Sequence, residues 1–330
     1  MTDAVLSRAP AGSPSRSPVQ RFLAGYGQEL IVGLAVIVLF AGVSIVNPRF
    51  LSDTNINSII AGNAYIAVAA VGMSMVIICG HIDLSVGSLI GVIATVAGTL
   101  AVSGYPVWVA WLLPILMAIA INASVGAFIA YTRIPSIVVT LGMLSILKGG
   151  LISATGGAWI SDLPPGFMIA QMRPFGIPSA VYFMVVLTLL AAWFIANTDF
   201  GWSIYAVGGN SEAARAAGIS PERVTVGVFA LHGLFTGIAG ILFATQLQVI
   251  QSTVPPNLEL TVITAAVIGG VSILGGTGTV IGSTLAAILF ATIGSALIFL
   301  NVSAYWLRAV LGLMILATVL ADMIRRRRAT

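Results

Sequence analysis

Few side chains in this sequence can do chemistry, and most of them stand alone in apolar surroundings. His81, Asp83 and Ser85 interrupt an apolar run within Gly80-His81-Ile82-Asp83-Leu84-Ser85-Val86-Gly87-Ser88. A carboxylate at the centre of a membrane helix costs about 2.5 to 3.5 kcal/mol on insertion scales, so Asp83 needs a protected or aqueous place. Two readings stand: Asp83 caps the helix that follows, with Ser85 helping to satisfy its free amides, or it lines a polar path or gate. Lys148, the only lysine, falls within the apolar stretch near 137–155. At about 1.5 Å per residue it sits roughly 16 Å into its helix, where it either snorkels, bonds a partner helix or stands near a solute path. Asn63 and Asn122 are further polar groups inside apolar runs, read as glue between helices or as solute contacts. Glu259 opens a short apolar segment that leads into Gly269-Gly270-Val271-Ser272-Ile273-Leu274-Gly275-Gly276-Thr277-Gly278. Irregular backbone of this kind marks either a transport path or a plain turn.

Several chemistries are excluded by what is missing. Gly149 follows the one lysine, so no G-x-x-x-x-G-K-[ST] phosphate loop can be written. His81 and His232 are far apart and form no H-E-x-x-H pair, and Cys79 is the only cysteine, so neither a zinc site nor an intrachain disulfide is expected. No nucleophile and base cluster together as an intramembrane enzyme would need. The chain is therefore expected to hold no cofactor.

The elements that must position these residues are membrane helices. Of 330 residues, 58% are apolar and 7% charged, with a mean hydropathy of +1.08. Soluble domains carry about a quarter charged residues. Apolar stretches long enough to cross a bilayer core about 30 Å thick recur along the chain, and no ten-residue alternation signals a barrel. An all-α, polytopic helix bundle is expected, with about ten spans near 28–46, 56–79, 85–103, 107–131, 137–155, 179–196, 221–248, 258–270, 279–300 and 304–324. Residues 1–26 read as a disordered tail, 27–324 as the membrane domain and 325–330 as a basic tail. The first apolar stretch ends in Asn47-Pro48-Arg49-Phe50 without a cleavage pattern and reads as a retained helix.

Ten crossings can be checked against charge. Arg8, Arg16, Arg21, Arg133, Arg215, Arg223 and Arg325 to Arg328 fall on one side, whereas Arg49, Arg173 and Arg308 fall opposite. The positive-inside rule then places both termini in the cytoplasm. The net charge of +4 follows this segregation and does not form a nucleic-acid footprint. Glycines spaced four apart, Gly87/Gly91, Gly233/Gly237 and Gly278/Gly282, suit close helix approach. In the inner loop 197–220, Asn210 or Ser211 caps a short helix from Glu212 to Ala217, Gly218 ends it, and Ser220-Pro221 opens the next span.

Four segments together resemble a known family: residues 80–88; Ile134-Pro135-Ser136-Ile137-Val138-Val139-Thr140-Leu141-Gly142; Gly208-Gly209-Asn210-Ser211-Glu212-Ala213-Ala214-Arg215-Ala216-Ala217-Gly218-Ile219; and residues 269–278. In this order they look like the ribose/xylose/rhamnose-type permeases of bacterial ATP-binding-cassette (ABC) importers. Gly156-Gly157-Ala158-Trp159-Ile160 is similar to the rhamnose and autoinducer-2 branch as much as to ribose permeases. The resemblance implies a multi-pass permease in the bacterial plasma (inner) membrane, paired with a second copy or paralogue. It also implies an extracytoplasmic solute-binding protein, a sugar-like solute and a separate cytoplasmic ATPase holding ATP and magnesium. Glu212-Ala213-Ala214 with Gly218 looks like the core of the loop that docks on that ATPase, although the downstream Leu-Pro of the longer motif is missing. Its docking residues would be Asn210, Ser211, Glu212, Ala213, Ala214, Arg215 and Gly218. His81 stands where many members have glycine. The rival reading is an ion-coupled secondary transporter with Asp83 or Glu259 as its ion site.

Overall fold

The computed structural model describes residues 18–327 apart from Val254 and Ala304. Among them the chain is a bundle of helices. α1 (Pro18–Val46) is followed by a 3-10 turn at Pro48–Leu51, then by α2 (Asp53–Ile60), α3 (Ala64–Ile78), α4 (Val86–Val102), α5 (Val107–Thr132) and α6 (Ser136–Thr155). A loop with three 3-10 turns leads to α7 (Ser179–Asn197), α8 (Asp199–Gly209), α9 (Ser211–Ala216) and α10 (Pro221–Ala244). α11 (Leu258–Ile268), α12 (Ile281–Phe299) and α13 (Trp306–Arg327) complete it. The only strands among the described residues are β1 (Trp159–Ile160) and β2 (Ile250–Gln251), which pair antiparallel.

Seven helical segments are long and apolar enough to cross a membrane, with α2 and α3 counted as one; three shorter apolar helices lie at Val86–Val102, Leu258–Ile268 and Ala309–Thr318. Together they make a polytopic membrane bundle of the expected kind. Five boundaries differ from expectation. The span expected over 56–79 is broken at Ala61-Gly62-Asn63, where Asn63 stands at the N-cap of α3 and donates to the Ser58 and Ile59 carbonyls, at 3.3 and 3.2 Å. The loop over 197–220 holds an extra helix, α8, because the Thr198 side chain accepts from Gly201 N–H and caps it. α10 stops at Ala244, four residues short of expectation. Of the tail expected over 1–26, residues 1–17 lie outside the described set, and from Pro18 the chain is already helical. Extending an existing helix fixes one residue per hydrogen bond gained, which explains its reach beyond the apolar span. The basic tail likewise continues α13 through Arg327, with 328–330 outside the described residues.

The core forms around α3 and α10. α3 is buried from Ile66 to Ile78, and α10 packs against α3, α4 and α5. Lipid gives no hydrophobic preference for helix association, so close backbone approach must supply the contact. Gly233 and Gly237 provide it: a Cβ at Gly233 would stand 2.6 Å from the Ala118 carbonyl oxygen, and one at Gly237 3.0 Å from the Ile115 Cα.

Candidate functional site

The four sequence segments, far apart in the chain, meet at one end of the bundle. The break between α3 and α4 is fastened to α6, because Ile82 N–H donates to Ser136 Oγ at 3.1 Å and Thr140 Oγ1 donates to the Ile82 carbonyl at 3.2 Å. Gly276 N–H donates to the Ile78 carbonyl at 2.8 Å, which ties the glycine-rich turn after α11 to the same break. Gly208, at the end of α8, lies so close to the Ile78 carbonyl that any side chain there would collide with it. Glycine at 208 is thus a packing requirement at the junction of three irregular segments.

Beside this junction opens a cavity of about 1120 Å³ whose lining includes His81, Arg133, Ser136, Gly209, Asn210 and Glu212. His81 Nε2 lies 3.1 Å from Thr225 Oγ1 on α10. Asp83 does not line the cavity. Its side chain is wholly buried, and its Oδ1 accepts from both the N–H and the Oγ–H of Ser85, at 2.7 and 2.5 Å. Ser85, the N-cap residue of α4, makes no side-chain cap of its own. Asp83 therefore organises the start of α4 through Ser85. Its Oδ2 lies 3.4 Å from His232 Nε2, with both side chains fully buried, so α10 sets its histidine against the break. Sequence reasoning had passed over His232. The signal was available, since an ionisable residue inside an apolar span is rare without a partner or a task.

The remaining candidates are dispersed. Asn122 is fully buried on α5 against Gly233, and its amide finds no partner among the described residues. Lys148 is exposed on α6 and forms no ion pair among the described residues. Asn63 lies at the break between α2 and α3, away from the cavity lining.

The most legible part of the site is α9. Asn210 Oδ1 accepts from Ala213 N–H at 3.0 Å, and the helix ends where Gly218 adopts φ +87°, with Ile219 N–H returning to the Ala214 carbonyl at 3.0 Å. Ser220 then caps α10 through Arg223 N–H. Arg215 pairs with Glu222, which raises the guanidinium's pKa further and clamps α9 to the start of α10. Ser211, Glu212, Ala213, Arg215, Ala216, Ala217 and Gly218 are exposed, whereas Ala214 is 4% exposed and turned into the bundle. Ala214 thus packs α9 onto its own chain and leaves its neighbours to face outward.

A helical membrane bundle with this capped helix and the four converging segments matches, over residues 55–319, the family described as branched-chain amino acid transport system / permease component. The chain belongs to that family. As a permease component of a transport system it is a membrane transport protein rather than an enzyme. It is 36% identical over 296 residues to the autoinducer 2 import system permease protein LsrC of Salmonella typhi, covering 89% of this chain and 85% of the relative. LsrC of Escherichia coli O9:H4 (strain HS) is 33% identical over 296 residues, with 89% and 86% covered, and LsrC of Shigella flexneri is 34% identical over the same length and shares. No solved structure matches the chain.

Proposed function

We propose that this permease component is the membrane subunit of a bacterial ABC importer for a sugar-like solute. In this reading an extracytoplasmic binding protein delivers the solute, and a second copy or a paralogue completes the path. A separate cytoplasmic ATPase, holding ATP and magnesium, drives the change between outward and inward openings through its unequal affinity for the two. Both termini are cytoplasmic. The observation that carries the reading is α9: a capped six-residue helix, clamped by Arg215 and Glu222, that presents Glu212, Ala213, Ala216 and Ala217 outward beside the cavity. A small-residue surface lets a partner's groove close around the backbone, and the fixed caps hold it in one orientation. Autoinducer 2, named for the relatives, is the first solute to try.

Affinity purification of the tagged permease from its native membrane tests this. The expected result is a cytoplasmic ATPase recovered with the permease in a fixed ratio. A permease that is folded and active in uptake, yet purifies free of any ATPase, contradicts it.

A further inference from the structure

After α10 ends at Ala244 the chain does not turn back at once as a regular helix. It first pairs Ile250–Gln251 with the outer loop at β1, next to Gly98 of α4, where a Cβ would stand 2.5 Å from Ile250 Cδ1. By Glu259 it has reached Gly87 of the same helix, where a Cβ would stand 2.7 Å from Glu259 Oε2. Eleven helical residues separate Gly87 from Gly98, so the segment descends about 16 Å alongside α4 before α11 begins. It is re-entrant and irregular, and much of it is uncovered: Gln251, Thr253, Pro256 and Asn257 are exposed and Glu259 is half-buried. Asn257, at φ +59°, starts α11 without a side-chain cap. Glu259 has no ion pair among the described residues. Ser252 Oγ on this segment and Ser88 Oγ, next to Gly87, are buried without hydrogen-bond partners among the described residues.

Irregular backbone at membrane depth cannot face lipid, because its amides and carbonyls would lose their hydrogen bonds; it must be covered by protein or line water. A dry protein cover would leave the Glu259 carboxylate unpaired, at the cost that removes such groups from membrane interiors. Water along the segment satisfies both requirements. We propose that residues 251–253 and 255–259 line the solute's route, and that Glu259, lodged in the notch at Gly87 with Asn257 beside it, accepts hydrogen bonds from a neutral, hydroxyl-rich solute and turns away anions. A carboxylate offers acceptors only, so it suits hydroxyl donors and repels phosphates and carboxylates. This deepens the importer reading and rests on it for the solute's class.

The test uses thiol chemistry on the full permease complex in nanodiscs, with Cys79→Ser as background. Asn257→Cys is the reporter, Asp162→Cys the outer-loop control, and Leu189→Cys, exposed on α7, the lipid-facing control. Cationic and anionic methanethiosulfonates are the probes. Asn257→Cys is expected to react at a rate approaching that of Asp162→Cys, while Leu189→Cys stays unreactive. Relative to free cysteine, it is also expected to favour the cationic reagent by about tenfold, a preference abolished by Glu259→Gln. Reaction as slow as at Leu189→Cys, or a charge preference that Glu259→Gln leaves unchanged, overturns the proposal. Labelling is read independently of ATPase recovery. A labelled permease that binds no ATPase therefore refutes the importer reading while leaving the route in place.

Discussion

Ala213→Trp is expected to abolish stable association with the ATPase while leaving the permease in the membrane at parental abundance. Ala213 is exposed on the side of α9 turned away from the bundle, so the indole has room there and the packing of the apolar helices is kept. In a groove shaped for a methyl group the same indole prevents closure. A change at one of the few hot-spot positions of an interface costs about 2 kcal/mol or more, which corresponds to about a thirtyfold loss of affinity. Copurification and permease-stimulated ATP hydrolysis, compared at equal permease levels, report it; Ala213→Ser should behave as the parent. Full binding and coupling by the tryptophan variant would move the docking site elsewhere. Ala214→Trp would not discriminate, because Ala214 is buried against its own bundle and the indole would disrupt the loop before any partner arrived.

The second large effect falls inside the membrane. Removing the carboxylate that faces a buried imidazole leaves that imidazole without its polar neighbour, and an unsatisfied buried polar group costs about 1 to 3 kcal/mol. Asp83→Ala strands His232 and takes the acceptor from Ser85, so it should lower the unfolding transition in detergent and impair transport together. Asp83→Asn and Asp83→Ser keep an acceptor for Ser85 but lose the carboxylate facing His232. If Asp83 serves only the start of α4, both retain stability. If the pair with His232 matters, both lose stability, and Asp83→Asn combined with His232→Gln shows a coupling energy of about 0.5 to 3 kcal/mol. Parental behaviour of the Ala, Asn and Ser variants alike would remove both roles.

How much of this was legible in the sequence depended on the range of the interaction. α9 could be read because caps are local: Asn210, Gly218 and Ser220 each act on backbone groups a few residues away. Close packing at Gly233 and Gly237 was legible from their spacing, since one turn of helix brings both onto a face. The Asp83–His232 contact joins residues on separate helices, and no local rule pairs them. α8 was missed because Asp199-Phe-Gly-Trp-Ser-Ile-Tyr-Ala-Val-Gly-Gly209 carries three glycines and weak intrinsic preference; packing of Ile204 and Val207 on the bundle overrides it. The early end of α10 was hidden for a related reason. Its last apolar residues continue the helical pattern, but Gln246 leaves it to donate to the Gly62 carbonyl at 2.7 Å, where the chain between α2 and α3 is itself broken.

The energy source of transport separates an ATP-driven importer from an ion-coupled one most directly. Uptake of the solute carried by the copurified binding protein can be measured in proteoliposomes holding the permease and its ATPase, with ATP supplied on the ATPase side. The account predicts that uptake persists when ionophores collapse proton and sodium gradients, and that it stops when ATP is replaced by an analogue that cannot be hydrolysed. Uptake that continues without hydrolysis and fails with the ionophores would contradict it.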